Sequence, residues 1–481
     1  MTRTFQYRIP AGRLLGWWLV LMGLSGCRKY LEVPPQIDTV SGAAIFQNDN
    51  TASGVVNSVY SSLLSLNTFD GPGIGFYTGI YGDELKNLVL VPSYQALYGD
   101  AVGSSDAVTV FWTSFYGRLY AVNVAIEGIT PATDLNHRSQ WLGEAYFLRG
   151  LLYFYLTNLY GDVPLVLHSD YLSNNSLARS PRADVYRQIL SDLKQAQSLL
   201  DNQYHDAAGA VTNDRGRPNK LAAAALLARV YLYTQDWKNA EAQAGSCIAD
   251  AADYQLLSLS RVFGVNSMEV IWGLVPYESL FYPYLVKDVR QYYIPPGMAP
   301  SAVQAVLADS LVATFEPGDA RYSTWVGKDT VPASGANPAT VYYYDSKYKA
   351  NGTYTAAQEI LSMLRLAEQY LIRAEARAQQ NNLSGALADL NTVRARTGLP
   401  PSAAVSQTDV LAAILHERRV ELFMENGHRW FDLRRTGNLD AVMNIITPLK
   451  GGTWAPFKAW WPIPLTDIQN DPHLVQTPGY Q

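Results

Sequence analysis

The chain has 481 residues, a formal net charge of −5 and only 16% charged side chains, against about 25% in ordinary globular proteins. Hydrophobic residues reach 48%, ample for a large core, and the acidic balance argues against nucleic acid or an anionic membrane surface as the main partner. Tyrosine is frequent, with 32 residues beside 11 tryptophans, so some rings must stay partly exposed, as at a ligand surface.

Residues 1–26 read as a lipoprotein signal peptide. Arg3, Arg8 and Arg13 form a basic lead, and Leu14 to Leu24 is an apolar run shorter than the roughly 20 residues a bilayer span needs. It closes in Leu24-Ser25-Gly26-Cys27, the form of a lipobox. Palmitate and further acyl chains on Cys27 would anchor the chain, each buried methylene contributing about 0.8 kcal/mol. Loss of the three arginines takes the charge from −5 to −8. Cys247 then remains as a lone cysteine in an apolar helical pattern, read as a small core residue. Residues 27–40, with Pro34-Pro35, form a lipidated tether.

Asn50-Thr51 caps a predicted helix with the stripe Val55, Val59, Ser62 or Leu63, and Leu66. Gly71-Pro72-Gly73-Ile74-Gly75 has no leading strand and no following Lys-Ser/Thr, so it is read as a loop rather than a phosphate cradle. Helices follow over Trp112 to Ile129 and Ser139 to Tyr160. The second is apolar nearly all round, but Arg149, Asn158 and the stop at Gly161 favour a buried helix over a membrane span.

Two helix-turn-helix pairs resemble tetratricopeptide units: Leu221 to Thr234 with Trp237 to Ala251, and Leu361 to Gln379 with Ser384 to Arg396. The interval 253–358 between them is rich in tyrosine, proline and glycine; short strands and ordered loops are expected there, one near Met268 to Leu274. From Val410, apolar and charged residues share one helical face. Arg418, Glu421, Glu425, Arg429 and Asp432 are read as a structural ion-pair network, in preference to an acid/base or anion-binding cluster. A short helix from His428 to Arg435 ends at Gly437, after which helical periodicity is lost. The expected fold is mainly α: a tetratricopeptide-like helix-pair scaffold with a large irregular, loop-rich region carrying short strands. It spans 41–255 and 256–481 as one globule.

Enzyme signatures are thin. His416-Glu417 begins like a zinc helix, but Val420 stands where the second histidine belongs. Carboxylates such as Asp83-Glu84 have ordinary structural uses. No catalytic residue, metal ligand or cofactor is assigned. A sugar offers C–H faces to flat rings and a hydroxyl rim to polar side chains. Candidate rings are Tyr94 and Tyr98 in an early loop, then Tyr277, Tyr282, Tyr284, Tyr292, Tyr293 and Trp325; for each, packing over its own loop is the competing role.

Four separated stretches resemble the SusD/RagB family of outer-membrane nutrient-binding lipoproteins. They are the lipobox at Cys27 and the run EAYFLRGLLYFYLTNLYGDVPLV. The third holds Arg418-Arg419, Glu421-Leu422, Glu425, Gly427, Arg429, Asp432-Leu433 and Arg435. The last is the close through Trp461-Pro462-Ile463-Pro464 and Pro478-Gly479-Tyr480. The resemblance implies a non-enzymatic, lipid-anchored protein facing the cell exterior. It implies an oligosaccharide nutrient and a SusC-like TonB-dependent barrel transporter as partners. Peptide cargo and a membrane-anchored glycoside hydrolase are the competing readings.

Overall fold

The computed structural model describes residues 44–64, 68–277, 284–287, 305–333, 335, 338–350 and 353–480. Cys27 and the rings of Tyr282, Tyr292 and Tyr293 lie outside the described residues. Most of the described chain is helical, and the described residues from Phe46 onward form one compact unit.

Asn48, rather than the predicted Asn50-Thr51, caps the first helix, α1 (Asp49–Leu63); its side chain accepts from the Thr51 N–H. The glycine stretch expected as loop holds a turn, but from Ile74 it becomes a buried helix, α2 (Ile74–Tyr81). Close approach explains its composition: a Cβ on Gly75 would stand 2.5 Å from the Met424 carbonyl oxygen. The short strand β1 (Leu85–Asn87) leads to a second helix missed in sequence, α3 (Pro92–Tyr98), with proline at its start. Tyr94 and Tyr98 therefore sit on a helix, not in a loop.

Helices α4 (Thr109–Ile129), α5 (Arg138–Tyr160) and α6 (Arg182–Leu199) continue the chain. Nearly all of α5 is buried, as its all-round apolar pattern requires, and Gly161 (φ +79°) stops it. No described helix is long and apolar enough to cross a membrane. Gly150 of α5 faces Leu193 of α6; an added Cβ would stand 2.8 Å from the leucine side chain, so glycine sets the helix separation. Arg149 is paired with Asp192 at 2.7 Å, which resolves the charge inside this apolar helix.

A two-residue hairpin follows, β2 (Tyr204–His205) against β3 (Val211–Thr212). The first predicted helix pair appears as α7 (Lys220–Tyr233), capped by Asn219, and α8 (Trp237–Ala249), capped by Asp236. Cys247 is fully buried on α8, and burial pushes its thiol up to about 12. In the aromatic interval lie β4 (Val270–Leu274), β5 (Ala305–Leu307), β6 (Val326–Val331) and β7 (Thr340–Asp345), with β5 paired to β1 and β6 to β7.

The predicted helix from Leu361 begins instead as a strand, β8 (Leu361–Arg365), antiparallel to β4. Pairing with an already buried strand overrides a helical pattern that is ambiguous over five residues. The helix proper is α9 (Leu366–Gln379), followed by α10 (Leu383–Ala395) and α11 (Gln407–Glu421). Three left-handed residues, Met424, Asn426 and Gly427, turn the chain into α12 (His428–Arg435). Past Gly437 the chain does not lose helix, as expected, but forms α13 (Leu439–Leu449). Each helix from α4 to α10 packs on the next, so α8 meets α9 across the whole aromatic interval. This continuous stack is the tetratricopeptide-like scaffold; the strands and loops ride upon it.

Candidate functional site

The charged face of α11 builds an interior layer. Glu421 accepts from Arg365 at 2.6 Å and Arg321 at 2.9 Å, and also pairs with Arg396. Glu425 takes Lys347 at 2.6 Å and Arg365 at 2.7 Å. Arg418 and Arg435 both bond Asp432 at 2.7 Å, while Arg429 and Arg419 share Asp83. Burial alone would raise the Glu421 carboxyl; Arg396, Arg365 and Arg321 overcome it and hold the group well below its ordinary range. Each of the five residues named from sequence has an ion-pair partner: Arg418 and Asp432 pair with each other, while Glu421, Glu425 and Arg429 reach segments remote in the chain. Glu421 and Glu425 are sealed in the interior, whereas Arg419, Arg429 and Asp432 border a second groove.

Trp325 roofs this layer and corrects an expectation. It is fully buried, its indole N–H donates to the Leu259 carbonyl at 2.9 Å, and Lys347 lies 4.9 Å from its ring centre. It offers no ring face to solvent and is a core residue. Tyr94 packs edge-on against Phe76, with ring centres 5.5 Å apart, and Tyr98 lies under the Lys450 ammonium. Both are half-buried.

Tyr277 differs from these. It is 44% exposed at the mouth of a groove of about 280 Å³. Tyr284, in a left-handed conformation, donates its N–H to the Tyr277 carbonyl at 3.1 Å, so these two candidates are brought together. Neither Tyr94 nor Tyr98 is among the described residues lining this groove.

Three segments build it. From α1 come Asn57, Tyr60 and Ser61. From the β2–β3 hairpin come His205, Asp206 and Thr212, and the following turn adds Asp214 and Arg217. The end of β4 supplies Leu274, Val275 and Tyr277. The hairpin turn is held by Asp206, whose carboxylate accepts from the N–H groups of Ala208 at 2.8 Å and Ala210 at 2.9 Å. The Ala210 and Ala208 amides keep that carboxyl below its ordinary range. Gly209 takes φ +84°, which an L side chain rarely adopts. Asp214 accepts from the Gly216 N–H at 2.8 Å. The turn is bolted to the scaffold by buried Arg215, which donates to the Val270 and Asp253 carbonyls at 2.7 Å, and by the Trp272 indole on the Gly216 carbonyl.

At the floor, Arg217 lies between the Tyr60 and Trp141 rings and pairs with buried Glu144 at 2.8 Å. It also bonds the Asn57 side-chain oxygen. Burial, then the Glu144 charge, pushes the Tyr60 phenol well above its ordinary value, so it stays a donor to Glu144 at 2.9 Å. The floor is therefore held by a buried ion pair and by hydrogen bonds to Glu144 and Asn57. The rim of Ser61, Thr212, Asp206 and Asp214 has hydrogen-bonding capacity to spare, beside one open aromatic ring. Sequence reading missed every one of these except Tyr277. The signal was present in Asn213-Asp214-Arg215-Gly216-Arg217-Pro218, a dense turn beside a hairpin. A second groove, about 320 Å³ and bordered by His416, Arg419 and Arg429, has both arginines occupied by Asp83.

The fold and groove define a helical-repeat scaffold carrying a solvent-open pocket on its inserted loops. Two family models match, one described as SusD family over residues 313–480, the other as starch-binding associating with outer membrane over residues 84–232. Relatives include the SusD-like protein P38 of Formosa agariphila, 25% identical over 96% of this chain and 97% of its own. The starch-binding protein SusD of Bacteroides thetaiotaomicron is also 25% identical, over 74% of this chain and 75% of its own. Among solved structures, a laminarin-binding SusD-like protein superposes with a TM-score of 0.75 at 23% identity, covering 90% of this chain and all of that one. The chain belongs to the SusD/RagB family.

Proposed function

We propose that this protein captures an oligosaccharide in the Tyr277 groove, without altering it, and passes it to a TonB-dependent outer-membrane transporter. The observation that carries the reading is the pairing of an exposed ring with a hydroxyl- and carboxylate-bearing rim on an ion-paired floor. A sugar ring stacks its C–H face on Tyr277, and its hydroxyls find acceptors in Asp206 and Asp214 and mixed partners in Ser61 and Thr212. Relatives whose names record starch or laminarin binding support the cargo class. Acylated Cys27 would hold the scaffold at the outer membrane, facing the exterior, and the adjoining transporter would receive the cargo.

Isothermal titration against a glycan panel tests the cargo: at least one oligosaccharide binds, and Tyr277→Ala abolishes or sharply weakens it. Binding of peptides alone, or steady release of new reducing ends, would overturn the reading. The anchor is tested separately. Cys27→Ser should shift the protein from the membrane to the soluble fraction, and unchanged membrane retention would remove the lipid from the account.

A further inference from the structure

The grooved face has a charge pattern that narrows its cargo. Among the described lining residues, Asp206 and Asp214 are exposed carboxylates on the rim. The described lining arginine, Arg217, is buried, and its guanidinium is taken up by Glu144 and Asn57 between two rings. His205 shares one ring nitrogen with both Asp201 oxygens at 3.1 Å and the other with the Gly209 carbonyl at 3.1 Å. The two turns therefore leave two negative charges on the rim, and among the described lining residues Arg217 and His205 already have partners. A sulfate or carboxylate on the ligand would meet like charge, and among the described lining residues no arginine fork is open to receive it. Uncharged hydroxyls, by contrast, donate to these same carboxylates.

We infer that the Tyr277 groove takes uncharged oligosaccharides and turns away sulfated and uronic-acid ones. This rests on the glycan reading of the same groove and adds repulsion as its selectivity device.

The test titrates the full-length protein with two sets of probes. The neutral set holds α-glucan, β-glucan, mannan and xylan oligosaccharides; the acidic set holds alginate, polygalacturonate and sulfated galactan oligosaccharides of matched length. The expected result is binding within the neutral set and affinity at least about tenfold weaker for every acidic probe at low salt. The gap should shrink at about 1 M salt, where screening acts over about 3 Å. The double variant Asp206→Asn with Asp214→Asn keeps the acceptor oxygens that hold both turns, and it should narrow the gap. Acidic probes bound as tightly as neutral ones, with Tyr277→Ala still abolishing binding, would overturn this inference and leave the glycan reading standing. So would a gap insensitive to both salt and the double variant. Binding of no glycan at all, or binding indifferent to Tyr277→Ala, would overturn the groove as a glycan site and this inference with it.

Discussion

The layer beneath Trp325 and the groove beside Tyr277 use the same kinds of residue to opposite ends. In the layer, Glu421, Glu425, Arg321, Arg365 and Lys347 are buried, and each charge is paired, all but Lys347 with more than one opposite charge. In the groove, Asp206 and Asp214 remain in water and spend their bonds on backbone amides of their own turns. The aromatic residues divide likewise: Trp325 is sealed under a hydrogen bond, while Tyr277 is open. Residue type does not separate the sealed layer from the open groove in this chain. Access to solvent, set by which segments converge, does.

The comparison breaks most severely at Glu421. Glu421→Ala leaves Arg321, Arg365 and Arg396 short of a shared partner in the interior, at a cost of about 3–5 kcal/mol. Urea unfolding would measure it, and a loss near zero would deny the layer its structural role. The same group predicts a pH dependence. Its folded pKa is depressed, so its stabilisation is complete above the ordinary glutamate value of 4.5 and is lost as pH falls below that value towards the folded one. The wild-type midpoint should therefore drop in acid more steeply than that of the variant.

Tyr277→Ala should do the reverse. Little contact is lost from the core, so unfolding should shift by less than about 0.5 kcal/mol, while oligosaccharide affinity falls about tenfold or more. Titration and unfolding on the same preparation separate the two effects. Trp325→Phe sharpens the contrast: it should cost about 1–2 kcal/mol through the unpaired Leu259 carbonyl, with glycan affinity unchanged. A loss of affinity there would return Trp325 to the ligand site. The smallest effect belongs to an exposed pair. Arg187→Ala removes the bond to Asp184 on the surface of α6 and should cost under about 1 kcal/mol, within the error of most unfolding curves.

Much of the scaffold was legible because long helices carry their own evidence. The apolar runs of α4 and α5, the run of alanines in α7 and the cap at Asp236 are local signals with local causes. The errors fell where a neighbour decided. Leu361 to Arg365 is a strand only because β4 lies beside it, and Ile74 to Tyr81 is a helix able to bury its glycines only against the turn at Met424. Helix α13 was missed because Gly437 reads as an end although the chain restarts two residues later.

The candidate site was less legible still. Tyr277 could be proposed from an aromatic-rich interval, but its partners Asn57, Asp206, Thr212, Asp214 and Arg217 come from segments remote in the chain. The order of amino acids by itself determined that this protein would be a stack of paired helices with charges committed to its interior, since periodicity and capping act within a few residues. Only tertiary structure decided which ring would see water and which carboxylates would stay exposed at a groove, because exposure is a property of converging segments and not of any one of them.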